Sequence, residues 1–347
     1  MVPPPTSPRS RDGGAPQAPT VEPPPPLQVG PVRMVPHRAE IDGRRLRYAV
    51  SDNEDAAGPE GPGSPPLWAV NLHGYFAGGG MYWRESAHLA RTFDWRVLNP
   101  SLPGFAGSDP LPWEQVNVRE ITHQVATLMD QLEIERALLL GHSMGGAIAM
   151  QFATAFPDRT LGIVYRDGAA TPAWKNRHGI FVRMLGPVLP DLAAVADLLL
   201  AATLDVPDLL IGRRLSSTVR GLWPDARRNI RAMGRTLPVG AMLMSIDMRD
   251  EVRAVMRTRI PVLGVWGCFD RICNAATAAE FMALTGAPVQ WVPGGHSWML
   301  PRPQAQADVL RHLPKGRAFL DQVHARRRRL LRLDTPAGAR ATMRVVR

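Results

Sequence analysis

Arg136-Ala137-Leu138-Leu139-Leu140-Gly141-His142-Ser143-Met144-Gly145-Gly146 carries an apolar run straight into a serine set between glycines. Arg136 to Leu140 is short and apolar enough for a buried strand. Met144 to about Phe156 has the length and composition of a buried helix, and Pro157 stops it. Between them, Gly141-His142-Ser143-Met144-Gly145 matches G-x-S-x-G, and it does so where that pattern has mechanical meaning, after a strand and before a helix. A turn that sharp holds its serine in a strained backbone conformation with the hydroxyl exposed. Side chains two residues to either side would collide across it, and Gly141 and Gly145 have none. Gly146 allows close approach of helix to sheet. Free N–H groups and the positive end of the helix dipole favour negative charge at such a site. The Met144 N–H is therefore the expected first donor to an oxyanion formed beside Ser143. His142 is not expected to act as a base, because its ring turns away from the neighbouring hydroxyl.

The same alternation extends outward from this turn. Leu67 to Leu72 and Arg96 to Asn99 are strands upstream, and a helix spans about Trp113 to Leu132. Leu161 to Tyr165, Ile260 to Gly267 and Val289 to Val292 are strands downstream, and a helix from about Pro303 to Leu313 ends at Pro314. Short apolar strands alternating with helices predict a mostly parallel sheet covered on both faces, an α/β fold. Arg38 to Tyr48 alternates about Asp42-Gly43, the signal of an antiparallel hairpin. Between about Thr171 and Arg259 the strands stop and helical periodicity takes over, which predicts a helical insertion. The chain then divides into a Pro-rich, disordered segment over 1–31, an α/β core over 32–172 and 259–315, a helical cap over 173–258, and a basic extension over 316–347.

A serine hydroxyl becomes an effective nucleophile only when a base takes its proton. An imidazole titrates in the right range, and a carboxylate must fix its tautomer. In this fold order the acid follows the serine and the histidine comes last. His296, in Gly294-Gly295-His296-Ser297-Trp298, lies just after the last strand, while His312 and His324 fall on late helices and His178 in the insertion. Asp270, in Trp266-Gly267-Cys268-Phe269-Asp270, lies at the carboxyl end of the preceding strand, where sites in open α/β sheets form. Asp167, at the end of an earlier strand, is the rival acid.

Gly141-His142-Ser143-Met144-Gly145-Gly146, with His73-Gly74-Tyr75-Phe76 and Leu102-Pro103-Gly104-Phe105-Ala106-Gly107-Ser108 upstream, resembles the α/β-hydrolase superfamily over roughly residues 35 to 315. The resemblance implies an oxyanion hole whose second donor is the Tyr75 N–H, with His73 as a buried scaffold residue. It also implies that 173–258 is a cap over the pocket. Ser101 and Ala106 stand where many relatives have Asp and Gly, which puts the local loop geometry in doubt but not the triad. The implied activity is that of a serine hydrolase working through an acyl-enzyme on a carboxylic ester, a lactone or a carbon–carbon bond. An acyltransferase or a non-turnover receptor for a small molecule is the alternative on the same scaffold.

Composition narrows the partners. Cys268 and Cys273 form no CxxC pair and no metal-ligand cluster, so neither a metal nor an organic cofactor is expected, and a reducing, cytoplasmic setting is. No secretory signal or membrane-spanning run is visible; Leu192 to Leu204 is too short. The formal net charge is +10, and from His324 onward eight arginines face one acid, Asp334. The excess is therefore read as a solvated or loosely helical extension able to contact anionic surfaces, with no specific nucleic-acid partner, and loss of Arg326 to Arg347 is expected to leave turnover intact. Met184, Met233, Met242, Met244 and Met248 in the insertion suggest an apolar pocket for a small apolar or amphipathic ester-like substrate.

Overall fold

Successive side chains of the central strands go to opposite faces of a sheet, and each face is apolar. On β4 (Trp68–Leu72) Ala69 joins one buried cluster, while Val70 and Leu72 join the other; on β6 (Ala137–His142) Leu138 and Leu140 flank Leu139 in the same way. A strand apolar on both faces must be covered on both. The computed structural model, which describes residues 27–29, 32–60, 64–175 and 215–333, shows how that is achieved.

Nine strands form one sheet in the order β1-β2-β3-β5-β4-β6-β7-β8-β9. β1 (Leu27–Val29), β2 (Val32–Ile41) and β3 (Arg44–Ser51) are antiparallel, and β3 joins β5 (Arg96–Ser101) antiparallel. From β5 through β4, β6, β7 (Thr160–Arg166), β8 (Val262–Gly267) and β9 (Val289–Val292) every pairing is parallel. The hairpin turns at Asp42 and Gly43, both at positive φ (51° and 72°), the geometry that Asp-Gly favours between twisted strands. The sheet begins five residues before the expected boundary at Val32, because Leu27–Val29 pairs with Val32–Met34. The remainder of the Pro-rich segment, the Leu192 to Leu204 run, Met184 and everything beyond Leu333 lie outside the described residues.

One face is covered by α2 (Val118–Gln131), α3 (Met144–Ala155), α6 (Arg249–Arg257) and α7 (Ala275–Thr285). The other is covered by α1 (Trp83–Phe93), α8 (Ala305–His312) and α9 (Pro314–Leu333). Two helices begin at side-chain caps: Asn117 accepts from Glu120 N–H at 2.9 Å, and Asn274 from Ala276 N–H at 3.0 Å. Inserted between β7 and β8 are α4 (Leu215–Arg231) and α5 (Met233–Ser245), followed by α6, whose Val252 and Val255 are buried in the core. Of the methionines named above, Met242 and Met248 are buried and Met233 is exposed, so the described ones divide between packing and solvent. Among the described residues no helix is long and apolar enough to cross a membrane.

Of the two forms expected of the basic C-terminal segment, the structure shows the helical one as far as Leu333, docked rather than loose. Pro314 opens a new helix rather than only closing the last one, and Phe319, Val323 and Leu330 of α9 are buried against the sheet. Gly162 on β7 makes this possible: a Cβ there would stand 2.7 Å from Val323 Cγ2. Arg326 is buried too, and donates from Nε to Thr160 O (2.8 Å) and from Nη2 to Pro157 O (2.7 Å). Arg327 donates to both carboxylate oxygens of Glu60 and to the carbonyls of Pro65 and Pro66. Arg328 and Arg329 face solvent.

Candidate active site

The parallel strands end on one edge, and the chemistry-bearing residues sit there. Ser143 follows β6, Asp167 follows β7, Asp270 lies three residues beyond β8, and His296 four beyond β9. Ser143 has φ 53° and ψ −116°, a conformation costly for any L-residue with a side chain. It is held from both sides: Ser143 N–H donates to Arg166 O (2.9 Å), and its carbonyl accepts from Gly146 N–H (2.9 Å) and Ala169 N–H (3.1 Å). The glycines have the steric role expected of them. A Cβ on Gly141 would meet Gly145 O across the turn, one on Gly145 would meet the Leu72 backbone, and one on Gly146 would stand 2.9 Å from the Tyr165 ring.

His296 Nδ1 and Asp270 Oδ2 are 2.9 Å apart, and both side chains are buried. The other Asp270 oxygen, Oδ1, accepts from Ile272 N–H (2.6 Å) and Cys273 N–H (2.9 Å). The carboxylate is thus fixed by its own loop before it meets the imidazole. Asp270, Cys273 and His296 bring three potential metal ligands within 4.8 Å of one another. Both carboxylate oxygens already accept hydrogen bonds there, which suits the set to orienting an imidazole rather than to holding an ion. Cys268 and Cys273 are free thiols, the first exposed and the second buried.

Asp167 is brought in beside Asp270 in a different role. Its Oδ1 accepts from Gly267 N–H (2.8 Å) and its Oδ2 from Trp298 Nε1–H (2.7 Å), so it pins the end of β8 to the segment after His296. Burial first, and then the charge of Asp270, push the Asp167 carboxyl well above the usual carboxylate range.

The loop after β4 closes the site from the other side. His73 Nδ1–H donates to Gly74 O (2.8 Å), and His73 Nε2 accepts from Leu102 N–H (2.9 Å). Both ring nitrogens are therefore used by a neutral imidazole, and burial holds its pKa down at about 4. Gly74 O also accepts from Ala77 N–H (3.2 Å). With that carbonyl fixed twice, the planar trans peptide aims Tyr75 N–H the opposite way. Gly74 packs directly on the serine turn: a Cβ on it would lie 3.2 Å from Ser143 Cβ. Met144, as the first residue of α3, has an N–H that no intrahelical acceptor can take.

Three features of this region were not legible in the sequence. Asn229 of α4 is buried and donates to Phe76 O and Ala77 O (2.9 Å each) while accepting from Ala106 N–H (2.7 Å). Tyr75 Oη donates to Thr236 O of α5 (3.1 Å), so the inserted helices are fastened to the loop that carries Tyr75 N–H. Beneath the loop, Arg166 and Glu85 form a fully buried ion pair (2.6 Å) with Asn71 bonded to both. Ala106, where relatives carry glycine, takes φ 51°, and Ser101 Oγ accepts from Gly79 N–H (3.1 Å). These two departures leave the loop ordered.

Comparison with known proteins places this arrangement in context. A family model described as the alpha/beta hydrolase fold matches residues 70–208. The chain is 36% identical over 212 residues to a 2-hydroxy-6-oxo-6-phenylhexa-2,4-dienoate hydrolase of Burkholderia cepacia, covering 58% of this chain and 71% of that protein. It is 32% identical over 257 residues to the dihydrolipoyllysine-residue acetyltransferase component of an acetoin cleaving system from Pseudomonas putida, covering 71% of this chain but only 60% of that protein. A thermophilic esterase from Thermogutta terrifontis superposes with a TM-score of 0.59 at 19% identity, over 83% of this chain and 99% of the esterase, a likeness of fold.

Proposed function

The chain belongs to the alpha/beta hydrolase family, and on that premise we propose that it is a serine hydrolase acting on a carboxylic ester or related carbonyl compound, with Ser143 as nucleophile, His296 as base and Asp270 as the acid that orients His296. The observation that carries the reading is the buried His296 Nδ1–Asp270 Oδ2 hydrogen bond on the same sheet edge as a serine held at φ 53°. Asp270 keeps the proton of His296 on Nδ1, which makes Nε2 the nitrogen that takes the Ser143 proton. Ser143 Oγ then attacks the substrate carbonyl. The negative oxygen that forms is met by Met144 N–H and Tyr75 N–H, fixed donors that need no reorganisation. His296 passes its proton to the leaving group, and water activated by the same imidazole releases the acid from the acyl-enzyme.

The helices α4 and α5 act as a cap in this reading, since Asn229 and Thr236 hold the loop that supplies Tyr75. A carbon–carbon bond hydrolase is the second reading, favoured by the 36% identity to the Burkholderia dienoate hydrolase. The two free thiols favour action in the reducing cytoplasm.

Labelling with a fluorophosphonate probe tests the mechanism. The native protein is expected to be labelled, Ser143→Ala to be silent and His296→Ala to react far more slowly. A folded native protein that takes no label, or a Ser143→Ala protein that is labelled like the native one, would overturn the assignment. Turnover of an ester panel against vinylogous 1,5-diketones then separates the two substrate readings.

A further inference from the structure

Four buried groups, Gly74, Tyr82, His142 and His296, are joined end to end, and the direction of every proton among them can be deduced. His142 Nε2 lies 2.9 Å from the His296 carbonyl oxygen, which can only accept, so Nε2 carries a proton. The ring is buried, and burial first, then the neighbouring His296 and Arg166, hold its pKa well below the ordinary imidazole value. A neutral ring protonated on Nε2 has a bare Nδ1. Tyr82 Oη, 2.6 Å from that Nδ1, must therefore donate to it. Having given its proton away, Tyr82 Oη is free to accept from Gly74 N–H at 3.3 Å. The chain runs Gly74 N–H to Tyr82 O–H to His142 to the His296 carbonyl.

The ends of this chain matter. Gly74 immediately precedes Tyr75, His142 immediately precedes Ser143, and the chain finishes on the backbone of His296 itself. The rings are also in contact: His142 and His296 have centroids 4.7 Å apart, and Tyr82 and His142 5.8 Å. We propose that Tyr82 and His142 are positioning residues, a three-bond brace that sets the oxyanion loop, the nucleophile turn and the His296 backbone at fixed separations. The inference rests on the assignment of Ser143 and His296 made above. In this role the polar atoms of both side chains are spent on one another and on the backbone of Gly74 and His296. Each acts through the placement of reacting groups, and small misplacements of such groups are expensive in rate.

The test uses Tyr82→Phe, which deletes one hydroxyl, together with His142→Phe, His142→Gln and the double variant Tyr82→Phe/His142→Phe. Turnover of a p-nitrophenyl ester is measured, and circular dichroism melts are run alongside. Tyr82→Phe is expected to lower kcat roughly tenfold, and His142→Phe roughly tenfold to a hundredfold, with KM nearly unchanged. The double variant should be no worse than His142→Phe, because a broken chain cannot be broken again. His142→Gln places an amide N–H where Nε2–H stood and should recover much of the loss. If Tyr82→Phe folds and keeps native kcat, or if the two losses multiply in the double variant, the brace is refuted. Should His142→Phe fail to fold, Tyr82→Phe and His142→Gln still decide. Fluorophosphonate labelling separates this from failure of the underlying assignment. A silent Ser143→Ala with a native-like Tyr82→Phe removes the brace alone, whereas a labelled Ser143→Ala removes both.

Discussion

Arg166→Met should be among the most damaging single changes in the core, and the structure says by how much. The Arg166 guanidinium is fully buried. Its Nη1 donates to Glu85 Oε1 at 2.6 Å, and its Nη2 to Asn71 Oδ1 at 2.7 Å and to Leu140 O at 3.0 Å. Methionine replaces most of the volume, so the cavity term is small. The loss is electrostatic. Glu85 would remain with a side chain 1% exposed and one neutral donor, Asn71 Nδ2 at 3.0 Å. Removing one partner of a buried pair costs about 3–5 kcal/mol, against a total stability of about 5–15 kcal/mol. Urea unfolding followed by tryptophan fluorescence reads this directly as a lower midpoint at unchanged slope. The diagnostic comparison is Arg166→Met/Glu85→Leu. Removing both charges deletes the orphan, so the double variant is expected to be more stable than Arg166→Met alone. A loss under about 1 kcal/mol for Arg166→Met would refute the reasoning, as would a double variant no better than the single one.

Three further outcomes are expected. His73 is held at about pKa 4 against an ordinary 6.5, so the folded state binds fewer protons there than the unfolded one. Its contribution, about 3 kcal/mol, is present above pH 6.5 and is lost as pH falls toward 4; Asp167, shifted upward, works in the opposite sense, so the difference in stability between wild type and His73→Gln across pH 7 to 4 isolates the histidine. Asn229→Ala strands Phe76 O, Ala77 O and Ala106 N–H in a buried site, and should lower kcat roughly tenfold by loosening the loop before it unfolds the domain, a split that thermal melts run beside kinetics will show. Ending the chain at Ala325 removes Arg326, Arg327 and Leu330 from the core, and should destabilise by about 3 kcal/mol or more, visible as a lower Tm; an unchanged Tm would restore the picture of a dispensable tail.

The strands, and the candidate residues that fall at their ends, could be read from sequence for one physical reason. Strands of this sheet are buried on both faces, so they stand out as continuous apolar runs, and each catalytic candidate lies within a few residues of a strand's end next to glycine. The predicted bounds of β4 to β9 hold to within two residues, as in Val289–Val292. Helices α1 and α7 are hard to read because polar residues share their buried faces, Glu85 and Ser86 on α1 and Thr277 and Thr285 on α7, which blurs the contrast between core side and water side. The supports of the site escaped for another reason. Tyr82 meets His142 across 60 residues, His142 meets His296 across 154, and Asn229 meets Ala106 across 123. No local pattern encodes a hydrogen bond that only the folded sheet brings together.

In the basic run, charge composition and helical phase point in different directions. Counted as composition, Arg326-Arg327-Arg328-Arg329 is a cluster of like charge and belongs in water. Placed on a helix, it divides. Phe319, Val323, Arg326 and Leu330 follow steps of four, three and four residues, which is one face of a 3.6-residue helix. Three members of that stripe are apolar and buried, so the fourth is carried inward with them, and it can go only because Thr160 O and Pro157 O accept its protons. Arg327 follows Leu320 by seven residues and finds Glu60 in the same way. Arg328 and Arg329 fall outside both stripes and remain solvated. The helical phase decides which arginines belong to the fold, and only the charge left over, on Arg328 and Arg329 within this run, is available to an anionic partner.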